Sequence, residues 1–168
     1  MTDRAELPMA LRAAYLAMHR KSDAQFANYG VTADQFVLLA TLSRGDALTQ
    51  RELARRMSSD PSTVRAMLVL LEKLGLIERD MHPSDSRART VALSVAGKRK
   101  FRELWKAGES IRTKMFDSIQ PEDAATFIRL LNQIAESLSG EDSFDSKKSK
   151  HKKLELAQKD SPSRHPLN

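Results

Sequence analysis

With 168 residues, 40% of them hydrophobic, the chain is long enough for one domain, or for one domain and a tail. Its apolar residues never approach the run of about 18 that a membrane span needs, and without cysteine it can form no disulfide, iron–sulfur cluster or thiol switch. The formal charge of +6 sits unevenly: residues 44–100 hold 12 basic and 7 acidic side chains, against 4 and 4 in 1–43, 5 and 6 in 101–140, and 7 and 5 in 141–168. A basic segment in an otherwise balanced chain suits a polyanion partner; an ordinary solvated basic surface is the alternative.

The opening stretch, MTDRAELPMALRAAYLAM, lacks the basic start, apolar run and small-residue cleavage site of a secretory leader, so a cytoplasmic protein is expected. Leu7, Leu11, Ala14, Tyr15 and Met18 recur at helical spacing and predict a first helix with an apolar stripe. A second helix begins at VTADQFVLLATL, where Thr32 can cap and Gln35 can complete a capping box, and Gly45 is a stop. LTQRELARRM repeats the signal, with Thr49 as cap and Glu52 three residues on. In SSDPSTVRAMLVLLEKLG, Asp60 is the cap, Pro61 suits the first helical position and Gly75 the end. Two short helices so close together make a helix-turn-helix pattern.

On the second of these helices Val64, Met67, Leu68, Leu71 and Leu74 share the inward side. Ser62, Thr63, Arg65 and Ala66 lie near its N-terminus, the end that meets base edges in a helix-turn-helix. Arginine can pair with guanine, serine and threonine are permissive, and alanine can touch a thymine methyl; ordinary first-turn polar residues are the plain alternative. RDMHPSDSRARTVALS then reads as a short hairpin, its second strand reaching Thr90–Leu93. Arg87 and Arg89 on such a loop suit a minor groove, with Asp85 placed to orient an arginine.

Ser94 can cap a long helix running from Val95 to Ile119, with Phe101, Leu104, Trp105, Gly108, Ile111, Met115 and Ile119 as its stripe. A last helix opens at Pro121 and is lined by Phe127, Leu131, Ile134 and Leu138. From Glu141 the chain turns lysine- and serine-rich and disorder is expected; Lys147, Lys148, Lys150, Lys152 and Lys153 there can add nonspecific DNA affinity or merely solubility.

No enzyme is expected, and no metal or cofactor. His19, His82, His151 and His165 are scattered, no metal-binding spacing or glycine-rich phosphate loop occurs, and neither Ser94 nor Ser110 has a base nearby in sequence. Glu122 and Asp123 are explained as first-turn charges favoured by the helix dipole.

LTQRELARRM, DPSTV, LEKLGLIERD, the DSR of a D-x-R wing, and VALSVAGK, in that order, resemble the MarR family of bacterial transcription regulators over about residues 7–139. The resemblance implies a mainly α fold with a small β-hairpin wing, a winged helix-turn-helix dimerised through its N- and C-terminal helices. It divides the chain into a dimerisation helix (1–31), a DNA-binding lobe (32–94), further dimerisation helices (95–140) and a basic tail (141–168). It also implies a homodimeric regulator, often a repressor of a near-palindromic operator, relieved by a small aromatic or phenolic ligand bound between the lobes. Carried onto this chain, Thr49 and Gln50 fall where a helix N-terminus meets phosphate, Ser62, Thr63 and Arg65 face bases, and Arg87 is the wing-tip arginine with Asp85 beside it. Tyr15, Met18, His19, Phe36 and Trp105 are the candidates for an effector pocket, with a plain core role as the alternative. Two positions depart from the family: it often has Thr-Arg where this chain has Arg65-Ala66, and Asp-Arg where it has Val69-Leu70. Those apolar residues suit thymine methyls or a protein surface, so a protein-interaction module with little DNA binding is the second expectation.

Overall fold

The computed structural model describes residues 3–45, 47–82 and 85–138, with side chains at all of these except 82 and 85–88. The expected tail, 141–168, lies outside the described residues. The chain divides into two units, Met1–Met115 and Phe116–Asn168.

In the first unit, α1 (Glu6–Ala27) starts without a side-chain cap and buries only Phe26. Leu7, Met9, Leu11 and Tyr15 are left exposed on it. Helix α2 (Ala33–Leu42) begins with the full capping box: Thr32 Oγ1 accepts from the Gln35 N–H at 3.1 Å, and Gln35 Oε1 accepts from the Thr32 N–H at 3.0 Å. Asp23 of α1 adds a tie between the helices, accepting the Ala33 N–H at 2.6 Å.

A two-residue strand, β1 (Leu48–Thr49), leads into α3 (Gln50–Arg56), and α4 (Pro61–Lys73) follows. Both helices end the same way. The Ser59 and Ser58 N–H groups donate to the Ala54 and Arg55 carbonyls, as Leu76 and Gly75 donate to Leu71 and Glu72. This is the Schellman ending, which needs a left-handed residue after the cap. Gly75 (φ +67°) takes that position freely, whereas Ser58 (φ +49°) takes it under strain. Val64, Met67, Leu68 and Leu71 of α4 are buried as expected. Leu74 is not: α4 stops at Lys73, and Leu74, its C-cap, is 56% exposed.

Strands β2 (Ile77–His82) and β3 (Asp85–Leu93) form the wing, with Ile77 opposite Leu93, Arg79 opposite Val91 and Met81 opposite Arg89. The sheet has three strands in the order β1-β3-β2, because Leu48 and Thr49 pair with Val91 and Thr90. A two-stranded wing was the sequence expectation; two residues of strand are too few to show an alternating pattern.

Helix α5 (Val95–Ala107) is capped by Ser94, and α6 (Glu109–Asp117) follows. The single long helix predicted from the sequence is thus broken at Gly108, which is buried beside Phe26 where a Cβ would come within 3.3 Å of that ring. Phe26, Phe36, Phe101 and Trp105 form a ladder of rings, with centroids 4.6 Å apart for Phe26–Phe36, 6.1 Å for Phe36–Phe101 and 5.9 Å for Phe101–Trp105. The ladder continues the core of Leu38, Leu39, Leu53, Val64, Leu68, Leu71, Val91 and Leu104.

In the second unit a helix over 121–138, α7, carries exposed Phe127, Ile128, Leu130 and Leu138.

Gly97 is the tightest approach in the first unit: a Cβ there would lie 1.9 Å from the Leu76 carbonyl oxygen. Gly97→Ala is expected to cost roughly 3 kcal/mol, the upper end of overpacking penalties. Gly75→Ala, with open space around it but φ +67°, should cost about 1–2 kcal/mol. Urea midpoints at unchanged slope will rank the two; equal midpoint shifts would contradict the steric assignment.

Candidate nucleic-acid interface and an adjoining cavity

The N-terminus of α4 is organised by one carboxylate. Asp60 Oδ1 accepts the N–H groups of Ser62 and Thr63, both at 2.9 Å. The Ser62 hydroxyl donates to Oδ1 and the Thr63 hydroxyl to Oδ2. An ionised carboxylate can only accept, so both hydroxyl protons point at Asp60 and both oxygens offer lone pairs elsewhere. These bonds, the Ser62 hydroxyl's foremost, hold the Asp60 carboxyl well below the usual carboxylate range.

Ser62, Thr63, Arg65 and Ala66 are all exposed on this turn. Among the described residues Arg65 carries no ion pair. Thr49 spends its hydroxyl on the α3 cap, accepting from the Glu52 N–H at 3.2 Å. Gln50 Nε2 donates to the Pro61 carbonyl at 3.2 Å and so joins the starts of α3 and α4. The return half of a capping box at Thr49 is replaced: the Glu52 carboxylate turns to Arg55 at 2.6 Å and Arg56 at 3.0 Å. Arg51 is exposed alongside.

On the wing, Arg89 is exposed and Arg79 Nε lies 2.9 Å from Glu72 Oε2 of α4. That contact is an ion pair without hydrogen-bond alignment, since Arg79 Nε has no hydrogen-bond partner. The backbone of Asp85 and Arg87 belongs to β3; their side chains, and the expected pairing between them, lie outside the described residues.

Beside this surface is a cavity of about 420 Å³. Tyr15, Met18 and His19 of α1 and Phe36 of α2 line it, four of the five effector candidates. Trp105 does not. Its place in the aromatic ladder turns it to a separate cavity of about 380 Å³, with Ala40, Arg44 and Phe101 among the walls. Sequence reasoning missed the wall contributed by the helix-turn-helix itself: Met57, Ser58, Ser59, Thr63 and Met67. Only the connection of α3 to α4 through a strained serine brings those residues there, and no periodic signal announces it. His19, in the cavity wall, lies between two carboxylates, with Nδ1 3.5 Å from Asp23 and Nε2 3.3 Å from Asp34. Among the described residues no three His, Asp or Glu side chains are grouped to hold a metal ion, and no helix is long and apolar enough to cross a membrane.

Known proteins share this fold. The family model described as MarR matches residues 31–88, the span from the approach to α2 into the second strand of the wing. The HTH-type transcriptional repressor MdtR of Bacillus subtilis (strain 168) is 28% identical over 134 residues, covering 78% of this chain and 86% of that protein. The crystal structure of an S. aureus MepR–DNA complex superposes with a TM-score of 0.71 at 21% identity, covering 82% of this chain and 99% of that one. Bordetella bronchiseptica BpsR, described with regulation of its DNA binding by 6-hydroxynicotinic acid, gives 0.71 at 24% identity over 80% of this chain and 97% of that one.

The Glu52 carboxyl is lowered to about 2, first by Arg55 and then by Arg56. A carboxylate whose folded value is depressed stabilises the native state above its ordinary range of about 4.3, and that contribution is lost as pH falls towards 2. Acid titration of folding should therefore lose part of its slope between these values in Glu52→Gln; because the pair is exposed, the difference should also shrink in high salt. An unchanged acid profile would show that the pair adds nothing. Over residues 31–88 the chain matches the MarR family model, and its winged helix-turn-helix is the fold of the MarR-family structures it resembles.

Proposed function

We propose that the chain is a dimeric, sequence-specific DNA-binding repressor, active in the cytoplasm, that releases a near-palindromic operator when a small aromatic or phenolic ligand fills the cavity beside α4. The carrying observation is the first turn of α4, where Ser62, Thr63, Arg65 and Ala66 stand exposed around a capped N-terminus. That end of the second helix of a helix-turn-helix enters the major groove. Arg51 and Arg89 flank it with positive charge, and Thr49 and Gln50 sit at the start of α3, where a helix N-terminus meets phosphate. Arg87 is assigned to the minor groove at the wing, with Asp85 as its orienting partner. Names of relatives support repression and DNA binding: MdtR is a repressor and MepR has been crystallised on DNA.

Dimerisation is assigned to the first and last helices. Leu7, Met9, Leu11 and Tyr15 of α1 and Phe127, Ile128, Leu130 and Leu138 of α7 are exposed apolar side chains, a form of surface that a symmetric partner covers. For the ligand, a cavity of about 420 Å³ is in the range that holds small molecules. Its described walls carry Asp34, His19 and serine hydroxyls but no lysine or arginine, which favours a phenol, able to donate to Asp34, over an aromatic carboxylate. The exposure of Val69 and Leu70 favours a second reading, a winged-helix module for protein binding. Random duplex DNA separates the two: no retention even at low salt would leave only the second.

Arg87→Ala should weaken operator binding by about 1–3 kcal/mol, and Arg65→Ala should relax base preference as well as affinity. Both are read by gel shift and by selection from random duplexes, with binding falling steeply as salt rises. Undiminished affinity of Arg87→Ala, or an unchanged motif for Arg65→Ala, removes that residue from the interface.

Val37 lines the cavity yet is half exposed, so Val37→Trp fills the space without opening the core. The variant is expected to lose the response of its operator binding to phenolic ligands in the same gel shift. A retained response places the effector elsewhere.

A further inference from the structure

Past its first turn, the outward face of α4 is aliphatic. At 100° per residue, Ser62, Ala66, Val69, Leu70 and Lys73 fall within about 100° of the helix circumference. All are exposed, Val69 at 40% and Leu70 at 50%. A valine is a mediocre helix former, and leaving it and a leucine in water contributes nothing to folding. The patch is continuous with the base-facing turn, is edged by Arg65 and ends at Lys73, charges suited to phosphates on either side of a groove.

We propose that this face of α4 reads A·T base pairs, Ala66, Val69 and Leu70 packing on thymine methyls while Ser62 and Thr63 accept hydrogen bonds from adenine. The proposal rests on the reading of α4 as the base-contacting helix. The thymine C5-methyl is the one apolar group that base edges present in the major groove. The hydroxyl protons of Ser62 and Thr63 are committed to Asp60, so towards the groove these side chains act as acceptors. Adenine N6 and cytosine N4 are the available donors, and only the A·T pair carries a donor and a methyl together. Val69-Leu70 therefore gives this helix a methyl readout, and Arg65 is left to select a single guanine.

The test starts from the full chain and a selection on random duplex DNA. The expected motif has adjoining A·T pairs beside one guanine in each half-site. Each thymine of that motif is then replaced by deoxyuridine, which pairs identically but lacks the methyl. Affinity should fall about fourfold at each contacted thymine, the effect of one buried methyl. The double variant Val69→Ala/Leu70→Ala, altered only at exposed helix positions and checked by circular dichroism, should lose most of that deoxyuridine penalty. A motif bound equally well with deoxyuridine, or an undiminished penalty in the double variant, overturns methyl readout alone and leaves the patch to a protein partner. Failure to select any motif overturns the DNA-binding reading, and this proposal with it.

Discussion

The carboxylate of Asp60 is the constraint on which the outward surface of α4 depends. A helix N-terminus leaves several N–H groups without partners. Here Pro61 has none to offer, and the next two are taken by one oxygen of Asp60. The same carboxylate binds both neighbouring hydroxyls. Free serine and threonine hydroxyls rotate to suit any partner; on this turn the rotors are stopped. Negative charge also favours the N-terminal end of the helix dipole, so the arrangement stabilises the helix and defines its hydrogen-bonding character together.

At the other end, the exit from α4 is joined to both the wing and α5. Ser94 Oγ donates to the Gly75 carbonyl at 2.6 Å and accepts from the Gly97 N–H at 2.9 Å, while the Ser94 N–H donates to the Leu76 carbonyl at 3.2 Å. Gly97 lets α5 come against Leu76 closely enough for these bonds to form. Ile77 and Leu93 pair directly beyond this point. The direction of α4 therefore sets where the wing begins, and Arg89 and Arg65 are presented by elements anchored to one junction.

Much of this was legible in the sequence, and the reasons are local. Thr32, Asp60 and Ser94 are caps whose chemistry is written within three residues, and the inward side of α4 follows from helical period. The misses are tertiary. Leu74 lies on the right side of α4, but it stands 56% exposed where the helix ends. Gly108 fits a helical stripe, yet it is where α5 ends, and a larger residue there would crowd Arg112 and Phe26. Glu52 had the spacing for a capping box, but two arginines one turn on attract a carboxylate more strongly than a backbone N–H does. For the candidate site, the exposed groups of α4 could be named from their angle alone. Trp105 could not be placed, because four aromatic rings compete for the same few directions.

The cavity draws on three segments that local chemistry ties unequally. Its α1 and α2 walls are joined by Asp23, by the His19–Asp34 contact and by the capping box. The wall from α3 to α4 runs through Ser58, held at φ +49° without glycine's freedom, at a cost of about 1 kcal/mol. A ligand shifts an equilibrium only by binding one state better than the other, so on the ligand-responsive reading proposed above the strained wall is the one to respond. Thr63 belongs to that wall and to the Asp60 cap alike. Rotation of its side chain towards a ligand would surrender its bond to Asp60, freeing the rotor that the outward face of α4 depends on. On the ligand-responsive reading proposed above, occupancy of the cavity and the acceptor character of the first turn would draw on the same hydroxyl.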